Sequence, residues 1–363
     1  MPEYRRYELG SVCARLSSGK GIPASQVFNE GAFPVYGGNG LRGYTDHSNF
    51  RGDCAIIGRQ GAFCGNVRYF NGEAYMTEHA VVVCANECHN TRYLAYLLSQ
   101  MNLGRLSGQS AQPGLSVKTL AKQVIELPPL DVQNKVVAVL SSLDSKIALN
   151  EKINDNLQQQ ATALFSSLYD RSNTEVRFTD LIQILGGGTP KTGESTYWNG
   201  NIAFFTPKDV GTPYTLITEK TISEEGLSHC NSRLYPVNTV FVTARGTVGK
   251  VGISGVPMAM NQSCYALVGK ETHQLLVYFY TLKAVDRLKH KASGAVFDAI
   301  TTRDFESEQI MKLSDDDAKA FLCIAEPMFQ KVLNNCIENL RLSTLRDSLL
   351  PKLMSGEIDV SAI

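Results

Sequence analysis

The chain has 363 residues, 43% of them hydrophobic, with 35 Lys and Arg balanced by 35 Asp and Glu. That is too long for one ordinary domain, apolar enough for packed cores, and without the overall basic excess that phosphate binding usually leaves. Met1 to Gly10 is charged, and no later stretch has the uninterrupted apolar length that spans a bilayer, so a soluble, cytoplasmic chain is expected.

Charge is distributed unevenly along the chain. Residues 1–130 hold 12 basic against 9 acidic side chains and residues 171–313 hold 15 against 13, whereas 131–170 and 314–363 are acidic, at 3 against 5 and 5 against 8. Both globular segments are therefore mildly basic, which permits a DNA partner without arguing for one. The nine cysteines, at 13, 54, 64, 84, 88, 230, 264, 323 and 336, show no regular pairing. An odd count of this kind fits reduced, separately buried thiols in a reducing compartment.

In chain order, residues 1–130 form a first β-rich domain with strand-like runs at 54–57 and 80–84 and a helix at 93–101. A helix is then expected over 131–170, because Val136, Leu140, Leu143, Ile147, Asn150, Asn154, Leu157, Ala161, Leu164 and Leu168 alternate by four and three residues. Two asparagines in that seam are register-setting in character, and the helix would be about 58 Å long at about 1.5 Å per residue. Residues 171–313 form a second domain of the same kind, with strands at 239–243 and 265–268 and a helix at 275–289. A second long helix follows over 314–350, marked by Leu322, Ala325, Phe329, Val332, Cys336 and Leu340, then Leu345 and Leu349. Pro327 is expected to kink it or mark its first turn. Gly356 after Pro351 ends the pattern, and 351–363 is expected to be a loose tail.

The two halves match at an offset of about 184 residues. Gly65-Asn66-Val67 corresponds to Gly249-Lys250-Val251, Met76-Thr77-Glu78-His79 to Met260-Asn261-Gln262-Ser263, and Leu115-Ser116-Val117-Lys118 to Ile300-Thr301-Thr302-Arg303. The expected fold is therefore α+β: two duplicated domains joined by two long helices that form an antiparallel intramolecular coiled coil with pseudo-two-fold symmetry.

Basic residues beside glycine turns are the candidate DNA contacts: Lys20, Arg42, Arg59 and Arg68 in the first domain, Lys191, Lys208, Arg245 and Lys250 in the second. Arg59 and Arg245 stand out because each follows an apolar strand and precedes a glycine. The plain alternative for any one of them is a solvated surface charge. Asn39, Gln60, Gln109 and Asn261 are candidates for reading adenine edges, and Tyr36, Phe63, Tyr69, Tyr197, Trp198 and Phe205 for packing on sugars or bases, or for the core. Cys84, Cys88 and His89 have the spacing of half a zinc site, but no second ligand pair follows, so no metal is expected. Gly246-Thr247-Val248-Gly249-Lys250 is neither long enough nor followed by the Ser or Thr of a P-loop.

Several stretches resemble the specificity subunit of type I restriction-modification enzymes: 33–40 (Phe-Pro-Val-Tyr-Gly-Gly-Asn-Gly), Gly52-Asp53 to Arg59-Gln60-Gly61, Gln112-Pro113-Gly114-Leu115, Gly186-Gly187-Gly188-Thr189-Pro190, Thr206-Pro207-Lys208-Asp209-Val210 and 245–250. Leu127-Pro128-Pro129-Leu130 and the closing 345–357 segment resemble the family's helical regions. The second helix departs from the pattern by opening with Leu313-Ser314-Asp315-Asp316-Asp317 in place of a Pro-Pro entry. The resemblance implies two target-recognition domains on double-stranded DNA, each reading one half of a bipartite target. It also implies helices that space the halves and dock two modification (methyltransferase) subunits, with restriction subunits joining through the complex. Such a chain is not an enzyme; S-adenosylmethionine, magnesium and ATP would be used by the partners. The alternatives are a duplicated small-ligand or glycan-binding protein with a coiled-coil spacer, or an enzyme with a dispersed site.

Overall fold

The structure, a computed structural model, describes residues 3–107, 114–291 and 299–360. The chain divides into two compact units, Met1–Lys146 with Leu342–Ile363, and Ile147–Arg341. Each unit therefore takes one β-rich domain together with part of both long helices.

The first unit begins with β1 (Arg5–Glu8), β2 (Cys13–Ser18), β3 (Phe33–Gly37), β4 (Gly40–Thr45), β5 (Phe50–Gly58), β6 (Val67–Met76) and β7 (Ala80–Ala85). Helix α1 (Thr91–Gln100), α2 (Val117–Ala121), β8 (Val124–Leu127) and the start of α3 (Leu130–Arg171) follow. Six strands form one sheet in the order β2-β7-β5-β6-β3-β4, while β1 pairs with β8 beside it. The second half of β5, Cys54 to Gly58, is buried on both faces, which is why it reads as an unbroken apolar run. Cys54 and Ile56 face Phe50, Ala74 and Met76 on one side, and Ala55 and Ile57 face Tyr93, Leu94 and Leu98 of α1 on the other. Asn90 caps α1 by accepting from Tyr93 N at 3.0 Å, and its own N–H donates to Gln133 Oε1 at 2.9 Å, tying α1 to the first turn of α3.

The second unit repeats this plan. Its elements are β9 (Thr174–Arg177), α4 (Phe178–Leu181), β10 (Ile182–Gly186), β11 (Trp198–Phe205), β12 (Tyr214–Thr215), β13 (Lys220–Ile222), α5 (Glu224–Ser228) and β14 (Val240–Thr243). Then come β15 (Val251–Ser254), β16 (Met258–Met260), β17 (Cys264–Gly269), α6 (Gln274–Lys291), α7 (Thr302–Glu306), β18 (Gln309–Lys312) and α8 (Asp315–Ser355). Where the first unit has the single strand β6, the second has β15 and β16, interrupted at Gly255-Val256-Pro257; a proline cannot donate to a ladder. Its sheet is accordingly split into β10-β17-β14-β15-β12 and β13-β11-β16. The parallel pairing of β3 with β6 recurs in β11 with β16, and the β1–β8 ribbon recurs in β9–β18.

Within each unit α3 and α8 run antiparallel. In the second unit Phe165 of α3 packs on Phe279, Tyr280 and Phe321, and the α8 residues Ala325, Phe329, Val332 and Leu333 complete the same core. In the first, Val136 and Leu140 meet Leu350, Leu353 and Met354. Leu143, Ile147, Leu157, Leu164, Leu322 and Leu340 are half-buried along the same seam, and Leu168 is buried. The two seam asparagines are buried and bonded: Asn150 Nδ2 donates to Glu338 Oε2 and Asn339 Oδ1, each at 2.8 Å, and Asn154 Oδ1 accepts from Asn335 Nδ2 at 2.8 Å. Truncating one partner leaves a buried amide unpaired. Asn154→Ala is expected to cost about 1–3 kcal/mol in denaturant unfolding, and replacing Asn154 and Asn335 together by leucine about nothing. Equal losses in the single and double variants would show that this bond does not organise the seam.

Three expectations are corrected. First, Pro327 does not mark the first turn of the second helix: α8 begins at Asp315 and continues through Pro327 and Pro351 to Ser355. The carbonyls that these prolines leave without a helical donor belong to Cys323 and Asp347, both exposed residues. Ser314 replaces the Pro-Pro entry, accepting from Asp317 N at 3.1 Å and donating to Asp317 Oδ2 at 2.8 Å. Second, 351–360 is not loose: Gly356 ends the helix at φ +75°, and Val360 is 3% exposed in the core of the first unit. Leu345, by contrast, is 46% exposed, off the buried face. Third, the cysteines are all free, but only Cys54 and Cys264 are buried; Cys88 and Cys323 are exposed and the other five are half-buried.

Candidate nucleic-acid interface

In each unit four turns meet. In the first, Lys20 N donates to Met76 O at 3.0 Å, Thr77 N to Tyr36 O at 2.9 Å, and Arg59 N to His79 O at 3.0 Å. In the second, Gly188 N donates to Met260 O at 3.1 Å, Asn261 N to Phe205 O at 3.0 Å, and Ala244 N to Ser263 O at 2.8 Å. The bonds correspond one for one, so the duplication extends to the main chain of the turns. A Cβ on Gly19 or on Gly187 would collide with the carbonyls of Met76 and Thr77, or of Met260 and Asn261, so glycine is required where the first turn crosses the fourth.

The first unit's four basic candidates gather on these turns. Lys20, Arg42 and Arg68 are exposed and Arg59 is half-buried. The Arg42 side chain lies over Gly37 and the Arg68 guanidinium over Gly40, at the two ends of the β3–β4 turn. Tyr36, on that hairpin, packs against Phe70 at 5.0 Å. Burial, with Tyr44 adding to it, holds the Tyr36 phenol above its usual pKa against the opposing pull of Arg68, so the hydroxyl stays protonated. Phe63 is 41% exposed on the β5–β6 loop. Glu78 pairs with His79 at 3.1 Å and brings a carboxylate into an otherwise basic group.

In the second unit, Lys208, Arg245 and Lys250 are exposed on turns that touch, since Thr247 Oγ1 donates to Pro207 O at 3.3 Å. Lys208 also pairs with Glu219 at 3.3 Å. Lys191 is exposed too, and its carbonyl accepts the Trp198 indole N–H at 3.2 Å. Phe205 is a core residue, 0% exposed, and Tyr69 lies under Arg92 at 4.8 Å, away from the turns. Gln109 lies outside the described residues.

Arg59 and Arg245 are not equivalent. The main-chain pattern pairs Arg59 with Ala244 and Gln60 with Arg245: Leu115 N donates to Arg59 O and Ile300 N to Ala244 O, while Gln60 bridges to Gly114 and Arg245 to Ala299. The insertion of one residue in the first loop, 59–65 against 244–249, hides this offset in the sequence. The Arg59 guanidinium turns inward to Ser18 Oγ at 3.4 Å, a position that Ala244, 3% exposed, leaves to the core.

Two positioning residues escaped the sequence reading. Asn49 brackets the Met76 turn, donating to Met76 O at 3.0 Å and accepting from Met76 N at 2.8 Å. Asp209 accepts from Thr206 N at 2.8 Å, Thr206 Oγ1 at 2.6 Å and Glu219 N at 2.7 Å, and its Thr-x-x-Asp spacing was a legible signal. His89 accepts from Gln133 Nε2 at 3.1 Å in its place beside α3, and among the described residues no group of three or more His, Cys, Asp or Glu is placed to hold a metal. Among them, too, no helix is long and apolar enough to cross a membrane.

Residues 1–159 and 171–312 match the type I restriction modification DNA specificity domain. The type I restriction enzyme EcoprrI specificity subunit of Escherichia coli is 36% identical over 147 residues, 39% of this chain and 36% of that protein's length. The HindI specificity subunit of Haemophilus influenzae is 23% identical over 328 residues, 68% of this chain and 71% of that one. Among solved structures, the S subunit of a type I restriction-modification system from M. genitalium superposes with a TM-score of 0.66, at 14% identity, over 97% of this chain and 96% of that chain, which shows a shared fold. Because the family match covers both repeated halves and the duplicated turns lie within it, the chain belongs to the family of type I restriction-modification DNA specificity subunits.

Proposed function

We propose that each unit reads one half of a bipartite double-stranded DNA target through its four meeting turns. The paired helices set the spacing of the halves and dock two modification subunits. A specificity subunit is the non-catalytic component of its system. Adenine methylation and DNA cleavage, with S-adenosylmethionine, magnesium and ATP, are accordingly assigned to the modification and restriction subunits of the complex. The observation that carries this reading is the repetition of one turn framework, bond for bond, with exposed Lys and Arg on both copies. Half-sites one helical turn apart lie about 34 Å centre to centre, a distance within the reach of helices of 42 and 41 residues.

The test is to co-purify the chain with a modification subunit from the same genome and sequence the methylated adenines in DNA exposed to the complex. A split motif with a fixed gap is the expected result. A stable complex that methylates no defined motif would remove the recognition role, and failure to form any complex would favour the ligand-binding alternative.

A further inference from the structure

The two β-strand-to-glycine loops hold an exposed side chain at the same place in the same main-chain frame. In the first, Gly58 N donates to Asn66 O at 2.9 Å and Gly65 N to Gly58 O at 2.8 Å; in the second, Thr243 N donates to Lys250 O at 3.0 Å and Gly249 N to Thr243 O at 2.9 Å. Inside that frame Gln60 and Arg245 occupy the same place, each in an isolated bridge to the segment that precedes a short capped helix, Gly114 before α2 and Ala299 before α7. Each is exposed, and each is followed by a glycine in the left-handed region, Gly61 at φ +75° and Gly246 at φ +81°. A Cβ on either glycine would meet nothing within 4 Å, so the surface beside the exposed side chain is open to a close-lying ligand backbone.

Resting on the reading of function above, we infer that Gln60 and Arg245 are the equivalent base-reading residues of the two domains. The glutamine takes an adenine edge in one half-site and the arginine a guanine edge in the other. The chemistry favours bases over phosphates at this position. Phosphate contacts are made by glutamine as well as by arginine and carry no sequence information, so they give no reason for the side chain to be exchanged while the frame is kept. The exchange is between the two residue types whose paired hydrogen-bonding groups match the major-groove edges of adenine and guanine. Arg59, one residue earlier and turned inward to Ser18, holds the loop and does not read.

The experiment uses the chain in complex with its modification subunit and compares the methylated motif of the native protein with those of Gln60→Arg and Arg245→Gln. Both side chains are exposed and the frame is made by main-chain bonds, so the variants are expected to unfold thermally like the native chain, which is measured alongside. Gln60→Arg is expected to change one base of one half-site from adenine to guanine and to weaken the native site by roughly 10- to 100-fold, leaving the other half-site unchanged. Arg245→Gln is expected to do the converse in the other half-site. A native motif that survives both substitutions, or a uniform loss of affinity on all DNA, overturns the inference while leaving the bipartite reading intact. A native complex without any split motif overturns both.

Discussion

Replacing Phe165 by alanine is expected to destabilise the Ile147–Arg341 unit by about 3–5 kcal/mol, the range for emptying a buried aromatic site. Phe165 is 1% exposed, and its ring lies 5.0 Å from Phe279, 5.5 Å from Tyr280, 5.4 Å from Phe321 and 5.6 Å from Tyr169. It thus joins α3, α6 and α8 through one side chain. Edge and offset contacts of this kind contribute beyond the area they bury, and the surrounding rings are too rigid to close the void. Denaturant unfolding of the full chain measures the effect. A loss below about 1 kcal/mol would mean that the site collapses and that the aromatic cluster does not hold the helix pair to the second domain.

The second large effect is expected at Asp144. Its carboxylate takes Arg92 Nη2 at 3.1 Å and Arg346 Nη1 at 3.0 Å, and it accepts from the Tyr96 hydroxyl as well, so α1, α3 and α8 converge on one acid within the first unit. Burial opposes charge on both arginines, but Tyr96 and Asp144 raise Arg92, and Asp144 with Asp347 raises Arg346, above the ordinary guanidinium value. Side-chain exposures are 25% for Asp144, 24% for Arg92 and 30% for Arg346, so solvent screens the group only partly. Asp144→Ala strands the half-buried Arg92 and leaves Arg346 with only the exposed Asp347 at 2.8 Å, and is expected to cost about 2–4 kcal/mol, somewhat below the figure for a fully buried pair. Adding Arg346→Leu should recover part of the loss. If the double variant is no more stable than the single one, the cost belongs to the lost packing of Asp144 and not to the stranded charge.

How much of this was legible in the sequence varied with the range of the interactions. The α3 seam was readable because it is local: Val136 to Leu168 recur at helical spacing whatever they pack against. Phe165 and Tyr169 were missed because they lie beside the seam, on the face that meets α6, and their burial depends on that domain contact as well as on the helix pair. Pro327 was read as a kink or a first turn because proline removes a donor, but its cost depends on whether the carbonyl left without a donor is open to solvent, and exposure is a tertiary property. The tail was read as loose because its composition is that of a terminus, yet Ile358 and Val360 find a core in residues hundreds of positions earlier. At the candidate interface, the basic residues were visible beside their glycines, while the pairing of Gln60 with Arg245 was concealed by the one-residue difference in loop length.

By itself the sequence determined the duplication, the two long helices and the family resemblance. Each of these is written in periodicity, in order or in short motifs, and so survives without knowledge of the fold. Only the tertiary structure decided which equivalent positions face outward and which carbonyls and charges are satisfied. Those outcomes are set by hydrogen bonds between turns far apart in the chain, such as Ala244 to Ser263 and Ile300 to Ala244, and no local pattern encodes them.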